Sequence, residues 1–339
     1  MSQRSVTLLA IPVLAVALSG LLAHAQPKSA PPISGSDARA VLVGAGATAC
    51  VAPSPSTADP ATAFDDNRRF IRCLLAERYA AKPKDRDALL AIYNDTGDVF
   101  GPGQADTMDG GYRGIIKLVP VEPNSDAKHL RWVIAALRDY DDFFTQLAEK
   151  TRTDILSDDR PPPTPYAYRW RDLMVRFVRS EKKRTPAAYA LPWTVTYNIA
   201  GSLHRSADLV RETLFHEIFH MNDFTHGTWT AKTLRTDYDA IVAKCSKAKD
   251  RTKCFAPYAP GTTKVIGGTY YAFTTNNGDS VNEYGAELAL RYYAEQREML
   301  KRGKLSRKAF KCGPAENARA WDALVQEFFV GRDLVPACK

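Results

Sequence analysis

Cysteine pairs at C-x-x-C spacing are missing from this chain, which argues against a thiolate zinc site. Histidine is scarce, six in 339 residues, so any two placed close together carry weight. No internal repeat is visible, which excludes a solenoid or propeller. Beyond the first 25 residues no apolar run is long enough to span a bilayer. The net charge is +8, and two basic clusters, "RSEKKR" (179–184) and "KRGKLSRK" (301–308), could attract acidic polymers. They lack the interleaved aromatics of single-strand binding surfaces, so they read as solvated helix ends and no nucleic-acid partner is expected.

What is present is a globular composition, 45% hydrophobic and 25% charged, ample for a core. Residues 1–25 stand apart. A short basic start is followed by the apolar run "VTLLAIPVLAVALSGLLA" and then "AHA", the plan of a secretory signal peptide cleaved before Gln26. The competing reading is an uncleaved anchor. The A-x-A end favours cleavage, so no stable membrane anchor is expected and the protein is secreted or periplasmic. Export makes Cys50, Cys73, Cys245, Cys254, Cys312 and Cys338 an oxidised set. Six cysteines permit fifteen pairings; local pairing (50 with 73, 245 with 254, 312 with 338) is the expectation.

Residues 26–64 are rich in Pro, Ser, Ala and Gly and read as a flexible lead-in or propeptide. Within them "VLVGAGATA" (41–49) imitates a dinucleotide fingerprint, but prolines follow where a helix is required. From about 65 the pattern turns helical, with Phe70, Ile71, Leu74 and Leu75 on one face. The Gly- and Asp-rich stretch 95–114 reads as loop, residues 126–150 as a long helix, and "RPPPTP" (160–165) as a break before the helical pattern of "YRWRDLMVRFVRS" (168–180). Residues 193–200 and 263–275 read as strands. Helices are expected near 232–246, over 279–302 and over "ENARAWDALVQEFF". The outline is helix-rich α+β in one domain, 65–339.

The chemistry sits at "LFHEIFHMNDFTH" (214–226). Ser206 is a plausible N-cap for this helix. Positions i and i+4 share one helix face, so His216 and His220 can offer ring nitrogens to one cation. Glu217, one step round, can reach a water bound to that cation. Zinc lowers such a water's pKa toward about 7, and a carboxylate can then act as general base. This is the H-E-x-x-H arrangement. A third protein ligand is still needed, and two are on offer, with Asp279 a weaker third.

The near one is His226. With it the stretch resembles the metzincin signature H-E-x-x-H-x-x-G-x-x-H, but Asp223 stands where that family has glycine, and the only later methionine, Met299, lies in a helical stretch. The far one is "NEYGAE" (282–287), which resembles the N-E-x-x-S/A-D motif of the gluzincins, the thermolysin- and neprilysin-like zinc metallopeptidases. That resemblance is local to the two motifs. It implies a zincin-like fold with a small sheet beside the active-site helix, Zn2+ held by His216, His220 and Glu283, Glu217 as base, and Glu287 orienting the first histidine. It also implies a protein or peptide substrate held on an edge strand, of which "TYNIAG" (196–201) is a loose echo, with Asn198 and Ala200 as the pair. Gluzincins stabilise the oxyanion with a His or Tyr beyond the third ligand. Here Tyr270, Tyr271, Tyr292, Tyr293, Arg291 and His226 are the available groups, Tyr292 and Tyr293 reading more simply as core aromatics. A zincin-fold binding or scaffold protein with a structural or vestigial metal is the alternative from another class. Glu217 counts against it, since a structural site needs no base.

Overall fold

The computed structural model describes residues 33–338 except 45, 54–59, 110–113, 156–171, 182–184, 266–268 and 275–279. The expected signal peptide, the Pro-rich 160–165 run and Asp279 lie outside the described residues. Chain order is α1 (Gly35–Leu42), α2 (Pro60–Arg78), α3 (Pro83–Thr96), β1 (Val99–Gly101), β2 (Asp106–Asp109), β3 (Ile115–Pro120), α4 (Ala127–Ile155), β4 (Met174–Ser180), β5 (Ala188–Leu191), β6 (Thr194–Asn198), α5 (Ala207–Thr225), α6 (Trp229–Thr233), α7 (Arg235–Ser246), α8 (Arg251–Phe255), α9 (Ser280–Arg302) and α10 (Ala315–Phe329). Helices and strands are mixed, as an α+β reading requires.

The sheet runs β2-β3-β4-β6-β5. β4 and β6 are parallel, while β5 returns antiparallel along β6 and forms one edge. β1 joins the first half of β4 in parallel, and β3 joins its second half antiparallel. Val175, Phe177, Val195 and Tyr197 belong to the main core, which they share with the helices. Val178, with Ile116 and Leu118, forms a small separate cluster.

Helix α5 is the centre of the molecule. The Ser206 hydroxyl accepts the Leu209 N–H and fixes its start, and Asp208 sits in the positive first turn. Buried residues then fall on every side of it, from Val210 through Asp223, because α4, α6, α9 and the β5–β6 hairpin all pack against it. Close approach of α6 to α9 depends on Gly285: a Cβ there would meet Thr230 Cγ2 at 2.5 Å.

Four expectations change. The run 168–180 contains β4 rather than helix. Its apolar residues Leu173, Met174, Phe177 and Val178 mimic a helical stripe, but a central strand buried on both faces shows no simple alternation. Within 95–114, the expected loop, lie the short strands β1 and β2. The expected strand 263–275 reduces, among its described residues, to one bridge between Lys264 and Tyr270 and a 3-10 turn over Tyr271–Phe273. Lastly, the lead-in contributes to the core: Ile33, Ala38, Val41, Leu42 and Cys50 are buried, and Gly103 N–H donates to the Val41 carbonyl at 2.9 Å. All three disulfides follow local pairing: Cys50–Cys73, Cys245–Cys254 and Cys312–Cys338. Among the described residues no helix is long and apolar enough to cross a membrane.

Candidate metal centre

Helices α5 and α9 bring three ring and carboxylate atoms together. His216 Nε2 lies 3.1 Å from Glu283 Oε2 and 3.1 Å from His220 Nε2, and the third edge, His220 Nε2 to Glu283 Oε2, is 3.6 Å. A tetrahedral zinc about 2.0–2.1 Å from each donor would hold neighbouring donors roughly 3.3–3.4 Å apart. The triangle has that size. His216 is 9% exposed at its side chain, against 20% for His220 and 14% for Glu283, so solvent reaches the centre from the side of the latter two.

The donor set also fits a cation chemically. Glu287 Oε1 stands 3.4 Å from His216 Nδ1. A neutral His216 with its proton on Nδ1 turns its Nε2 lone pair into the triangle, where the Glu283 carboxylate also presents lone pairs. Acceptors facing one another repel unless a proton or a cation sits among them. Protons show the same demand: burial works against a charged His216, yet hydrogen bonds to Glu283 and Glu287 outweigh it and hold the imidazole well above its ordinary range. Burial would likewise raise the Glu283 carboxyl, but His216 and His220 hold it well below the usual carboxylate range.

Glu217 is buried beside the triangle, between α5 and the sheet edge. Burial pushes its carboxyl up; His216 and His220 draw it partly back, and the Ala190 backbone N–H of β5 donates to it. Glu287 is packed so tightly that a Cβ on Gly261 would fall 1.8 Å from its Oε2. The 3-10 turn brings Tyr271 to the cluster, its ring 5.9 Å from that of His216 and its hydroxyl bonded to Glu283. Burial, reinforced by Glu283 and Glu217, keeps that phenol protonated far above its ordinary value.

The other candidates lie elsewhere. Tyr270 faces Lys264, whose ammonium sits 5.3 Å from its ring centroid. Tyr292 donates to the Arg332 carbonyl, Tyr293 to Asp139 at 2.7 Å, and Arg291 to Glu295 at 2.6 Å. His226 caps the end of α5, with Nδ1 2.6 Å from Glu327 Oε1 and its ring against Phe328. It is outside the triangle because the helix does not turn at Asp223. Asp223 stays helical, its carboxylate accepting the Thr230 N–H at 2.7 Å, and the turn falls at Gly227 and Thr228, both at positive φ. "TYNIAG" is not the edge strand: β6 is paired on both sides, and the Asn198 amide is taken up by Ser180 and the Pro186 carbonyl.

Sequence reasoning missed β5, Ala190 and Gly261. The only signal for β5 was its place before the β-rich run "TVTYN" across Pro192-Trp193, a two-residue turn without the usual Asn-Gly chemistry; "AYAL" itself, half alanine, carries little strand preference. Among the described residues one further cluster could suit a metal, Cys50, Cys73 and Glu77, but its sulfurs are joined to each other in a disulfide. Comparison with protein-family models, with curated proteins and with solved structures finds no match to this chain.

Proposed function

We propose that the chain is an exported zinc-dependent metallopeptidase with a gluzincin-type centre and a zincin-like arrangement of helix and sheet. The observation that carries this reading is the convergence of His216, His220 and Glu283 from two helices into one triangle, with Glu217 buried alongside. Among the described residues the cluster offers three protein donors, which leaves a tetrahedral ion one open position, as catalysis requires and a closed structural site does not. Three disulfides agree with an oxidising compartment, secreted or periplasmic.

Zinc bound here would supply a Lewis acid that polarises the scissile carbonyl and eases ionisation of water. The chain's own groups do the rest. Glu217 takes a proton from the attacking water and later returns it to the departing amide nitrogen. Its raised affinity for protons, a result of burial, suits that shuttling role. Among the described candidates Tyr271 brings its hydroxyl to the centre and, kept protonated, can donate to the developing oxyanion. Among the described residues β5 pairs with a strand on one side only, and its other edge, where the Ala190 N–H meets Glu217, could receive an extended peptide beside α5.

The test is Glu217→Gln. It should keep the metal and lower chelator-sensitive hydrolysis of a peptide library by about 10²-fold or more. Turnover equal to wild type would refute the assignment of the base. If the wild type hydrolyses no peptide in such a library, the binding-protein alternative replaces the enzyme.

A further inference from the structure

The two ligand-bearing helices meet a shared partner away from the centre. Asp139, on α4, accepts the Tyr293 hydroxyl at 2.7 Å and pairs with Arg297 at 3.0 Å, both on α9. The same carboxylate stands 3.4 Å from Arg211 Nε on α5. Its neighbour Tyr140 repeats the pattern: the hydroxyl donates to the Arg211 carbonyl, while the ring meets Phe215 edge-on at 5.5 Å and Tyr293 at 5.6 Å. Phe215 of α5, adjacent to His216 in sequence, stacks on Tyr293 of α9 at 4.4 Å and 15°. One turn of α4 therefore grips α5 and α9 at the same level.

This matters because the triangle is split between those helices. His216 and His220 ride on α5, Glu283 on α9, and a slide of either helix by about one ångström along its axis would change two of the three edges together. Neighbours inside one helix hold the two histidines to each other; nothing inside one helix holds Glu283 to them. The residues that do so must bridge α5 and α9, and the Asp139 carboxylate is one such bridge: it accepts hydrogen bonds from Tyr293 and Arg297 of α9 and stands in ion-pair range of Arg211 on α5.

We infer that Asp139 is a positioning residue of the metal centre: by tying Arg211 to Tyr293 and Arg297 it sets the register of Glu283 against the histidine pair. The inference rests on the metal reading above. Asp139 touches neither ion nor substrate and acts through the two helices.

Zinc affinity is measured on the full chain by competition with a chromophoric chelator, together with the visible spectrum of the cobalt(II)-loaded protein and the melting temperature without metal. Asp139→Asn should weaken zinc roughly tenfold and shift the cobalt bands, which report donor geometry. Tyr293→Phe, which keeps the stack on Phe215, should do the same to a smaller degree and serves if Asp139→Asn fails to fold. Asp237→Asn, which breaks the Arg319–Asp237 pair between α7 and α10, is the control and should leave affinity and bands unchanged. A folded Asp139→Asn or Tyr293→Phe protein with wild-type zinc affinity and cobalt spectrum, whatever its melting temperature, would reduce Asp139 to a purely stabilising role. Failure of the wild type itself to bind zinc would overturn the metal reading and this inference together.

Discussion

At the residue scale, the environment of His216 decides more than its own chemistry. A ring nitrogen becomes a good metal ligand when the other nitrogen is held by a carboxylate, which fixes the tautomer and the ring plane. Glu287 does this from 3.4 Å, and Gly261 leaves the room for it. Glu287→Gln should therefore weaken zinc binding about 10–100-fold. Gly261→Ala, by pushing the carboxylate away, should act in the same direction. Unchanged zinc affinity in both, measured by chelator competition, would leave His216 oriented by something else. Helical spacing made His216 and His220, and separately Glu283 and Glu287, legible as pairs sharing a face; what joined the two pairs in one site was the resemblance of both motifs to the gluzincins. Choosing Tyr271 over Tyr270 was not possible in the same way. In a strand the two would point to opposite faces with neither preferred, and only the 3-10 turn that replaces the strand decides which meets Glu283.

At the scale of elements, a second, separate pair of histidines lies where the loop that launches α5 meets α4: His204 on the loop and His129 on the helix. His204 stacks on Tyr197 at 3.9 Å and donates from Nδ1 to the Asn198 carbonyl at 2.7 Å; its Nε2 is buried and has no hydrogen-bond partner among the described residues. His129 meets the Tyr197 hydroxyl at 2.7 Å. Burial pulls His204 down to about 4, against the opposing Asn198 hydrogen bond and with help from His129. The unfolded imidazole takes its proton near 6.5, the folded one near 4. Stability is thus complete above about pH 6.5 and lost as pH falls toward 4, by about 3 kcal/mol at about 1.36 kcal/mol per pKa unit. His204→Phe keeps the ring stack and leaves the Asn198 carbonyl bonded to Gly201 N–H at 2.8 Å. It should lose about 1 kcal/mol at neutral pH yet show a flatter profile in urea unfolding between pH 6.5 and 4. An unchanged acid slope would assign the effect elsewhere. Long helices such as α4, α5, α9 and α10 were legible because their periodic pattern extends over many residues. β4 was not, because a short strand covered on both faces and a short helix share one apolar pattern. β1, β2 and β5 are three or four residues long, below what a pattern can show.

At the scale of the whole molecule, the surprise is the N-terminal segment. Its composition suggested a flexible lead-in or a propeptide; in the full chain apolar residues at 33, 38, 41 and 42 seat α1 on α2 and β1, and Cys50–Cys73 ties the segment covalently to α2. Closing a loop of 23 residues contributes about 3 kcal/mol in the chain-entropy account. Replacing both cysteines by serine should lower unfolding stability by about that amount. A proteolytic cut within 54–59 should leave two pieces that separate on a gel only after reduction. An active form that begins near residue 65 would show that this packed segment is removed, which is the propeptide reading; one that retains it would make the segment part of the mature domain.

The most direct measurement is zinc content per chain, by elemental mass spectrometry after dialysis, for wild type, Glu283→Ala and His226→Ala. One zinc ion in the wild type and in His226→Ala, with almost none in Glu283→Ala, is the predicted pattern. Full zinc occupancy in Glu283→Ala, or none in the wild type, would contradict the centre described above.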